Sequence, residues 1–175
     1  MNTYGLGHDV VDVAAFAEQL AEPGSHMRSL FSVRELRQAA ERARLKNDGE
    51  AVHLAAKWAG KEAFLKAWCE ALGERSYPFT LDNFPWREVE VLDDSRGVPH
   101  VMLSGVVARA FRELTVDCGG SSRDDVRNPK SDYANDGDIV SNSVSQTDYA
   151  GSIPVIHISL SHDGPIASAV VALAD

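Results

Sequence analysis

The chain has 175 residues, 44% of them hydrophobic, and a formal net charge of −9. That length supports one domain with a real core and is too short for two, and the acidic balance argues against a nucleic-acid binder that works through a broad basic surface. No segment approaches the roughly 20 apolar residues of a membrane span, the N-terminal MNTYGLGHDVVDV lacks the basic and apolar regions of a secretory leader, and Cys69 and Cys118 have no metal-ligand spacing, so a reducing cytoplasm is expected.

In chain order, residues 3–12 (TYGLGHDVVD) read as a strand, with β-branched Val10 and Val11 after two glycines. Val13 to Ala21 reads as a helix that Pro23-Gly24 stops. Ser32 suits the N-cap of a second helix, since Glu35 three residues on completes a capping box, and Asn47-Asp48-Gly49 ends that helix after Lys46. Glu50–Leu72 is the longest helical pattern, closed by Gly73. Trp86–Asp93 and Pro99–Leu103 read as strands joined by Asp94-Ser95-Arg96-Gly97, a hairpin, and Val106–Leu114 as a helix. Val155–Ser161 alternates, Asp163-Gly164 supplies turn chemistry, and Ile166–Leu173 returns as a second strand. Asp117–Ser152, rich in Gly, Ser, Asn and Asp with no period, reads as a long loop interrupting the domain.

Charge is unevenly spread. Between His26 and Lys46 stand Arg28, Arg34, Arg37, Arg42, Arg44 and Lys46 against Glu35 and Glu41, whereas Asp117–Ser152 carries seven aspartates against Arg123, Arg127 and Lys130. One part of an acidic protein is basic. An acidic partner could dock there, or the helix could simply be solvated.

Glu50–Leu72 holds the main oddity. At about 100° per residue, Leu54, Trp58, Phe64, Leu65, Trp68 and Leu72 share one arc, with Ala56, Ala59, Gly60, Ala63 and Ala67 on the other. A helix apolar nearly all round should be largely buried. Lys57 and Lys61 nevertheless fall within or beside the aromatic arc, and Glu62 and Lys66, an i,i+4 pair, flank its other edge. Lysine stems snorkelling to solvent beside a surface pair is one reading. Phosphate binding by lysine with a metal on the carboxylate is the other.

Asp9 in Gly5–Asp12 (GLGHDVVD) is a carboxylate inside a β-rich stretch, where Asp is disfavoured, and taken alone it suits a turn or cap better than a ligand. The stretch is no dinucleotide fingerprint, because Val10 takes the third glycine's place. With Glu62, Asp9 gives two carboxylates on separate elements, and one or two carboxylates plus substrate phosphates is the usual way to hold Mg²⁺. Ser161, His162 and Asp163 are adjacent on a strand and so point to opposite faces, which forbids a catalytic relay among them. His162 suits either a phosphate contact or a turn cap. DYANDGDIVSNS (Asp132–Ser143) fails as a calcium loop, since Ala134 breaks the third position and Ser143 replaces the final glutamate.

Taken in order, GLGHDVVDV, FSVREL, KWAGKEAFLKA, RGVPHVMLSG and HISLSHDGPIASAVV resemble the holo-[acyl-carrier-protein] synthases, the short branch of the 4′-phosphopantetheinyl transferases. The resemblance spans nearly the whole chain except 117–152. It implies a small α+β domain, an antiparallel sheet packed against a long central helix, commonly a homotrimer with coenzyme A between subunits. It implies transfer of the phosphopantetheine arm of coenzyme A to a serine of an apo-acyl-carrier protein, or of a carrier domain in a fatty-acid synthase, releasing 3′,5′-ADP in fatty acid biosynthesis. By the same resemblance Asp9 and Glu62 would bind Mg²⁺, with Lys66 at the pyrophosphate or leaving group. Lys57, Lys61, Gly97, Pro99, Ser161 and His162 would surround coenzyme A. The serine proton would pass to a metal-bound water or to Glu62.

Three positions depart from the family pattern. Val98 stands where the loop before the second strand often has lysine, Ala15 near a docking arginine, and Asp12 where glutamate is common. They bear on partner and coenzyme affinity more than on the reaction. Two other classes compete with it: a non-catalytic coenzyme A or carrier-binding module of the same fold, and a metal-dependent phosphohydrolase.

Overall fold

The computed structural model describes residues 3–116 and 154–175. The expected loop at 117–152, with its discarded calcium pattern and Cys118, lies outside them.

A three-stranded antiparallel sheet has the order β1 (Thr3–Asp12), β5 (Ile166–Ala174), β4 (Val155–Asp163). A separate antiparallel pair joins β2 (Val89–Asp93) to β3 (Pro99–Leu103). The longest helix, α3 (Glu50–Leu72), packs on the inner face of the larger sheet. The other helices are α1 (Val13–Ala21), α2 (Val33–Lys46) and α4 (Gly105–Val116). The architecture is α+β, as expected, but the strands form two sheets. The stretch read as one strand from Trp86 begins only at Val89, because Trp86–Glu88 is a 3₁₀ turn closed by the Glu88 N–H donating to the Pro85 carbonyl.

Local chemistry sets the boundaries. Asp12 caps α1, accepting from the Ala15 N–H at 2.9 Å. That use accounts for a short acid at a position where the family often has glutamate. Ser32 and Glu35 form the reciprocal capping box of α2, and Asn47 ends it in the left-handed conformation at φ 55°. Between β2 and β3, Asp94 accepts from the N–H groups of Arg96 and Val98, and Gly97 takes φ +82°. The backbone bond from Val98, then that from Arg96, holds the Asp94 carboxyl down to about 2.

Two clusters make the core. Phe64, Trp68, Val89, Val107, Phe111, Val171 and Leu173 lie between α3, the sheets and α4, and Phe16, Phe31, Ala39 and Leu54 between α1, α2 and α3. Strand β1 lies hard against α3 because Gly5 and Gly7 have no side chain. A Cβ on Gly7 would overlap the Ala63 carbonyl oxygen, and one on Gly5 that of Ala67. This close approach positions the next inward residue of β1, which is Asp9.

Candidate active site

Side chains alternate along a strand, so Gly5, Gly7 and Asp9 face α3 together. The glycines meet Ala67 and Ala63, and Asp9 lies beside Glu62 and Lys66 of the same helix. Lys66 Nζ lies 2.7 Å from Asp9 Oδ1 and also donates to the His8 carbonyl at 3.2 Å. Lys66 therefore turns across to β1 and leaves Glu62 without the i,i+4 hydrogen bond that its spacing allowed.

Glu62 is half-buried beside Asp9. Its carboxyl is pushed up to about 7, first by burial and then by the Asp9 carboxylate against it. Lys66 and a hydrogen bond from the Trp58 side chain pull the other way. Asp9 Oδ2 is buried with no hydrogen-bond partner. Two carboxyls in contact, one with an orphaned oxygen, are costly as they stand. A hard divalent cation would satisfy both, and its remaining positions suit water and phosphate oxygens. The donor set fits Mg²⁺. Among the described residues no third His, Cys, Asp or Glu joins the pair.

On the opposite flank of α3 lies a cleft of about 270 Å³. Lys57 and Glu62 are five residues apart, about 140° around the helix, so they project to different sides. The cleft gathers Lys57, Gly97, Pro99 and His162, four of the residues expected around coenzyme A. It adds Arg42, Lys46 and His53, which were not singled out. Arg42 Nε lies 3.3 Å from Asp93 Oδ2, and its guanidinium passes under Gly97, where a Cβ would come within 2.9 Å. Lys46 Nζ is 3.5 Å from His162 Nε2, whose ring meets that of His53 edge-on at 5.6 Å. Burial, then Lys46 and His53, keep His162 below the usual imidazole range. His53 Nε2 in turn lies 2.7 Å from Asp48 Oδ1. Arg42 and Lys46 had one visible signal, the i,i+4 spacing that sets them on one side of a basic helix.

Two residues expected around coenzyme A lie apart from this cleft. Lys61 is not at the cleft: Lys61 and Glu35 are both fully buried, with Nζ 3.0 Å from Oε2. Nζ also donates to the carbonyls of Trp86 and Val89 and lies 5.4 Å from the Phe31 ring centroid. All three protons are committed, and burial holds its pKa down. Glu35 Oε1 accepts from the Val91 N–H at 3.0 Å, so this ion pair fastens α2 and β2 to α3. Of the two acids near these lysines, Glu35 is fully buried and Glu62 half-buried. Ser161 is also away from the cleft, opposite Ser168 on the outer face of the sheet, while its neighbour His162 faces in. Lys57 lies between these cases. It lines the cleft, yet its Nζ donates to the Val91 carbonyl at 2.7 Å and to Gln38 Oε1 at 3.2 Å.

The family model of the 4′-phosphopantetheinyl transferase superfamily matches residues 5–121. A holo-[acyl-carrier-protein] synthase of Bifidobacterium adolescentis is 51% identical over 97% of this chain and 97% of its own length. One of Bifidobacterium animalis subsp. lactis is 47% identical over 97% and 96%. Among solved structures, a Chronobacterium ammoniagenes ACPS–CoA complex superposes with a TM-score of 0.69 at 30% identity, over 97% of this chain and 96% of that one.

Proposed function

The chain belongs to the holo-[acyl-carrier-protein] synthase family of 4′-phosphopantetheinyl transferases, and from that premise we propose which of its residues do the work. The enzyme transfers the phosphopantetheine arm of coenzyme A to apo-acyl-carrier protein. The observation that carries the assignment is the facing pair Asp9 and Glu62, with Lys66 on Asp9 and one Asp9 oxygen unsatisfied.

Asp9 and Glu62 would hold Mg²⁺, which when bound neutralises negative charge on the pyrophosphate. Lys66 stands beside them, suited to the charge that builds on the departing 3′,5′-ADP. The nucleotide end of coenzyme A sits in the cleft, where Arg42, Lys46 and Lys57 give a cationic wall, His53 and His162 ring nitrogens, and Gly97 and Pro99 a close backbone approach. Val98 is partly exposed on this rim, and Arg42 and Lys46 offset the lysine absent there.

Cleft and carboxylates lie on opposite flanks of α3, so one coenzyme A is best served by two copies of the chain. The outer face of the larger sheet supports this, exposing Tyr4, Leu6, Val10, Val155, Ile166 and Val170. An apolar sheet face of this kind marks an interaction surface. The assembly is a homotrimer, and Ser161 on that face would meet a neighbouring subunit. Helix α1 carries no lysine or arginine, so docking of the acidic carrier, free or within a fatty-acid synthase, falls to Arg37 and Arg44 on the exposed side of α2. Residues 1–175 act as one transferase domain, in the cytoplasm, in fatty acid biosynthesis.

The test is to incubate the protein with coenzyme A, Mg²⁺ and an apo-carrier and weigh the carrier. A mass gain of one phosphopantetheine that EDTA abolishes is expected. An unmodified carrier across several candidates overturns the assignment and favours a binding module, and release of phosphate from coenzyme A without carrier favours a phosphohydrolase.

A further inference from the structure

The turn between α2 and α3 sets two opposite charges behind two imidazoles. Asn47 ends α2 in the left-handed conformation, and the residues on either side of it diverge. Lys46 Nζ comes within 3.5 Å of His162 Nε2, and Asp48 Oδ1 within 2.7 Å of His53 Nε2. Both rings line the nucleotide cleft, edge-on to each other, while Asp48 lies outside the lining, behind His53. An ammonium group only donates, and a carboxylate only accepts. His162 Nε2 therefore turns a lone pair to Lys46, and His53 Nε2 turns a proton to Asp48. What each ring has left is different. A neutral His162 presents N–H at Nδ1, whereas a neutral His53 presents a lone pair at Nδ1. That nitrogen has no hydrogen-bond partner among the described residues, and the His53 side chain is only 8% exposed.

The nucleotide end of coenzyme A carries one phosphate monoester, whose free oxygens all accept once it is a dianion. A lone pair on His53 Nδ1 repels such an oxygen. A proton there gives a charge-assisted hydrogen bond, with Asp48 matching the imidazolium charge on the far side of the ring. We propose that His53 makes the cleft selective for a phosphate monoester by taking up a proton from solvent as the donor binds, with Asp48 as its positioning residue. The inference rests on the coenzyme A reading above. The neighbouring charges are otherwise engaged. Arg42 lies 3.3 Å from Asp93, Glu50 lies 2.8 Å from Arg28, and Lys57 donates to the Val91 carbonyl and Gln38. Lys46 and Asp163 act on His162. Burial, then Lys46 and His53, hold that ring below the usual imidazole range, so His162 stays the neutral donor and His53 is the ring that charges.

Coenzyme A and dephospho-coenzyme A are each titrated into the protein with Mg²⁺ and no carrier, by calorimetry in two buffers of different ionisation enthalpy, which counts protons. Both donors bring the pyrophosphate, so any proton exchanged at Glu62 is common to them and cancels in the difference. Coenzyme A should take up at least about half a proton more than dephospho-coenzyme A at pH 7.5. Between pH 8.5 and pH 6.5 its Kd should fall at least about threefold more. Equal proton counts overturn the proposal while leaving coenzyme A binding intact, and failure of coenzyme A to bind overturns the underlying reading instead. His53→Phe keeps a ring beside His162. It should abolish the extra proton and raise Kd for coenzyme A at least about tenfold, with that for dephospho-coenzyme A within about twofold. An extra proton that survives in this variant belongs to another group and overturns the proposal. Asp48→Asn keeps an acceptor for Nε2–H without the charge and should at least halve the extra proton; equal effects on both donors would mark a merely structural role and count against it. Where a variant fails to fold, the wild type decides: its ¹⁵N imidazole spectrum should move His53 from neutral to imidazolium with coenzyme A and not with dephospho-coenzyme A. A neutral His53 in the coenzyme A complex overturns the assignment.

Discussion

Asp9 and Glu62 lie against each other, and burial together with the Asp9 carboxylate raises the Glu62 pKa. A carboxyl raised to about 7 from an ordinary 4.5 binds its proton more tightly in the folded chain than in the unfolded one. Between those values the folded protein holds more protons, so its contribution to stability is present below 4.5 and lost as pH rises toward 7. In EDTA the urea midpoint of the wild type, relative to Glu62→Gln, should fall between pH 5 and pH 7.5, and Mg²⁺ should reverse the fall. A flat difference would remove Glu62 from the pair. Because metal and proton compete for the same oxygens, apparent Mg²⁺ affinity should drop as pH falls below 7. Glu62→Gln and Asp9→Asn should each lower turnover at least about a hundredfold, as loss of a charge-stabilising group does; near-wild-type rates would refute the metal assignment. Lys61 gives the opposite signature. Lys61→Met removes the counter-ion of fully buried Glu35 and should cost about 3–5 kcal/mol of stability. Adding Glu35→Gln should restore much of that loss, and the double variant, where folded, should bind coenzyme A with little change.

At the scale of elements, the site depends on how closely β1 lies on α3. Gly7→Ala must push the strand off the Ala63 carbonyl, which moves Asp9 away from Glu62. It should destabilise the fold by about 1–3 kcal/mol, the range for overpacking, and lower kcat far more than that loss of folded protein accounts for. Circular dichroism alongside single-turnover rates separates the two effects. From the other side, Trp68 anchors α3 among Phe64, Phe79, Phe84 and Phe111. Trp68→Ala should cost about 3–5 kcal/mol and also reduce activity through misplacement of Glu62 and Lys66, and a fully active variant would end that claim. Helix α3 thus has three working sides. One holds the carboxylates, one borders the nucleotide cleft, and one, through Lys61 and Glu35, is pinned to α2 and β2.

For the whole molecule, the exposed outer sheet face and the proposed split site predict that activity depends on assembly. Val170→Asp places a charge at the middle of that face, at a position 41% exposed in a single chain and therefore cheap for folding. On the proposed assembly it should shift the protein from trimer to monomer in sedimentation velocity and reduce kcat/KM for coenzyme A at least about tenfold. A monomer with full activity would show that one chain completes the site.

The sequence by itself determined the helices, the caps, the final hairpin and the chemistry. Period, turn residues and the Ser32–Glu35 capping box act over a few residues and can be read along the chain. The resemblance carried by GLGHDVVDV and WAGKEAFLKA was likewise local, and it named Asp9, Glu62 and Lys66 as a group. Only the tertiary structure decided which charges are free to act. Lys57 and Lys61 differ by one helical turn and look alike on a helical wheel, yet one borders a cleft and the other is consumed by Glu35 and two carbonyls. Ser161 and His162 differ by one residue and face opposite sides of β4. Arg42 and Lys46 joined the candidate site only because the last turns of α2 reach Asp93 of β2 and His162 of β4. An ammonium group binds a ligand only where no buried acceptor has taken its protons first, and those acceptors lie on elements far along the chain.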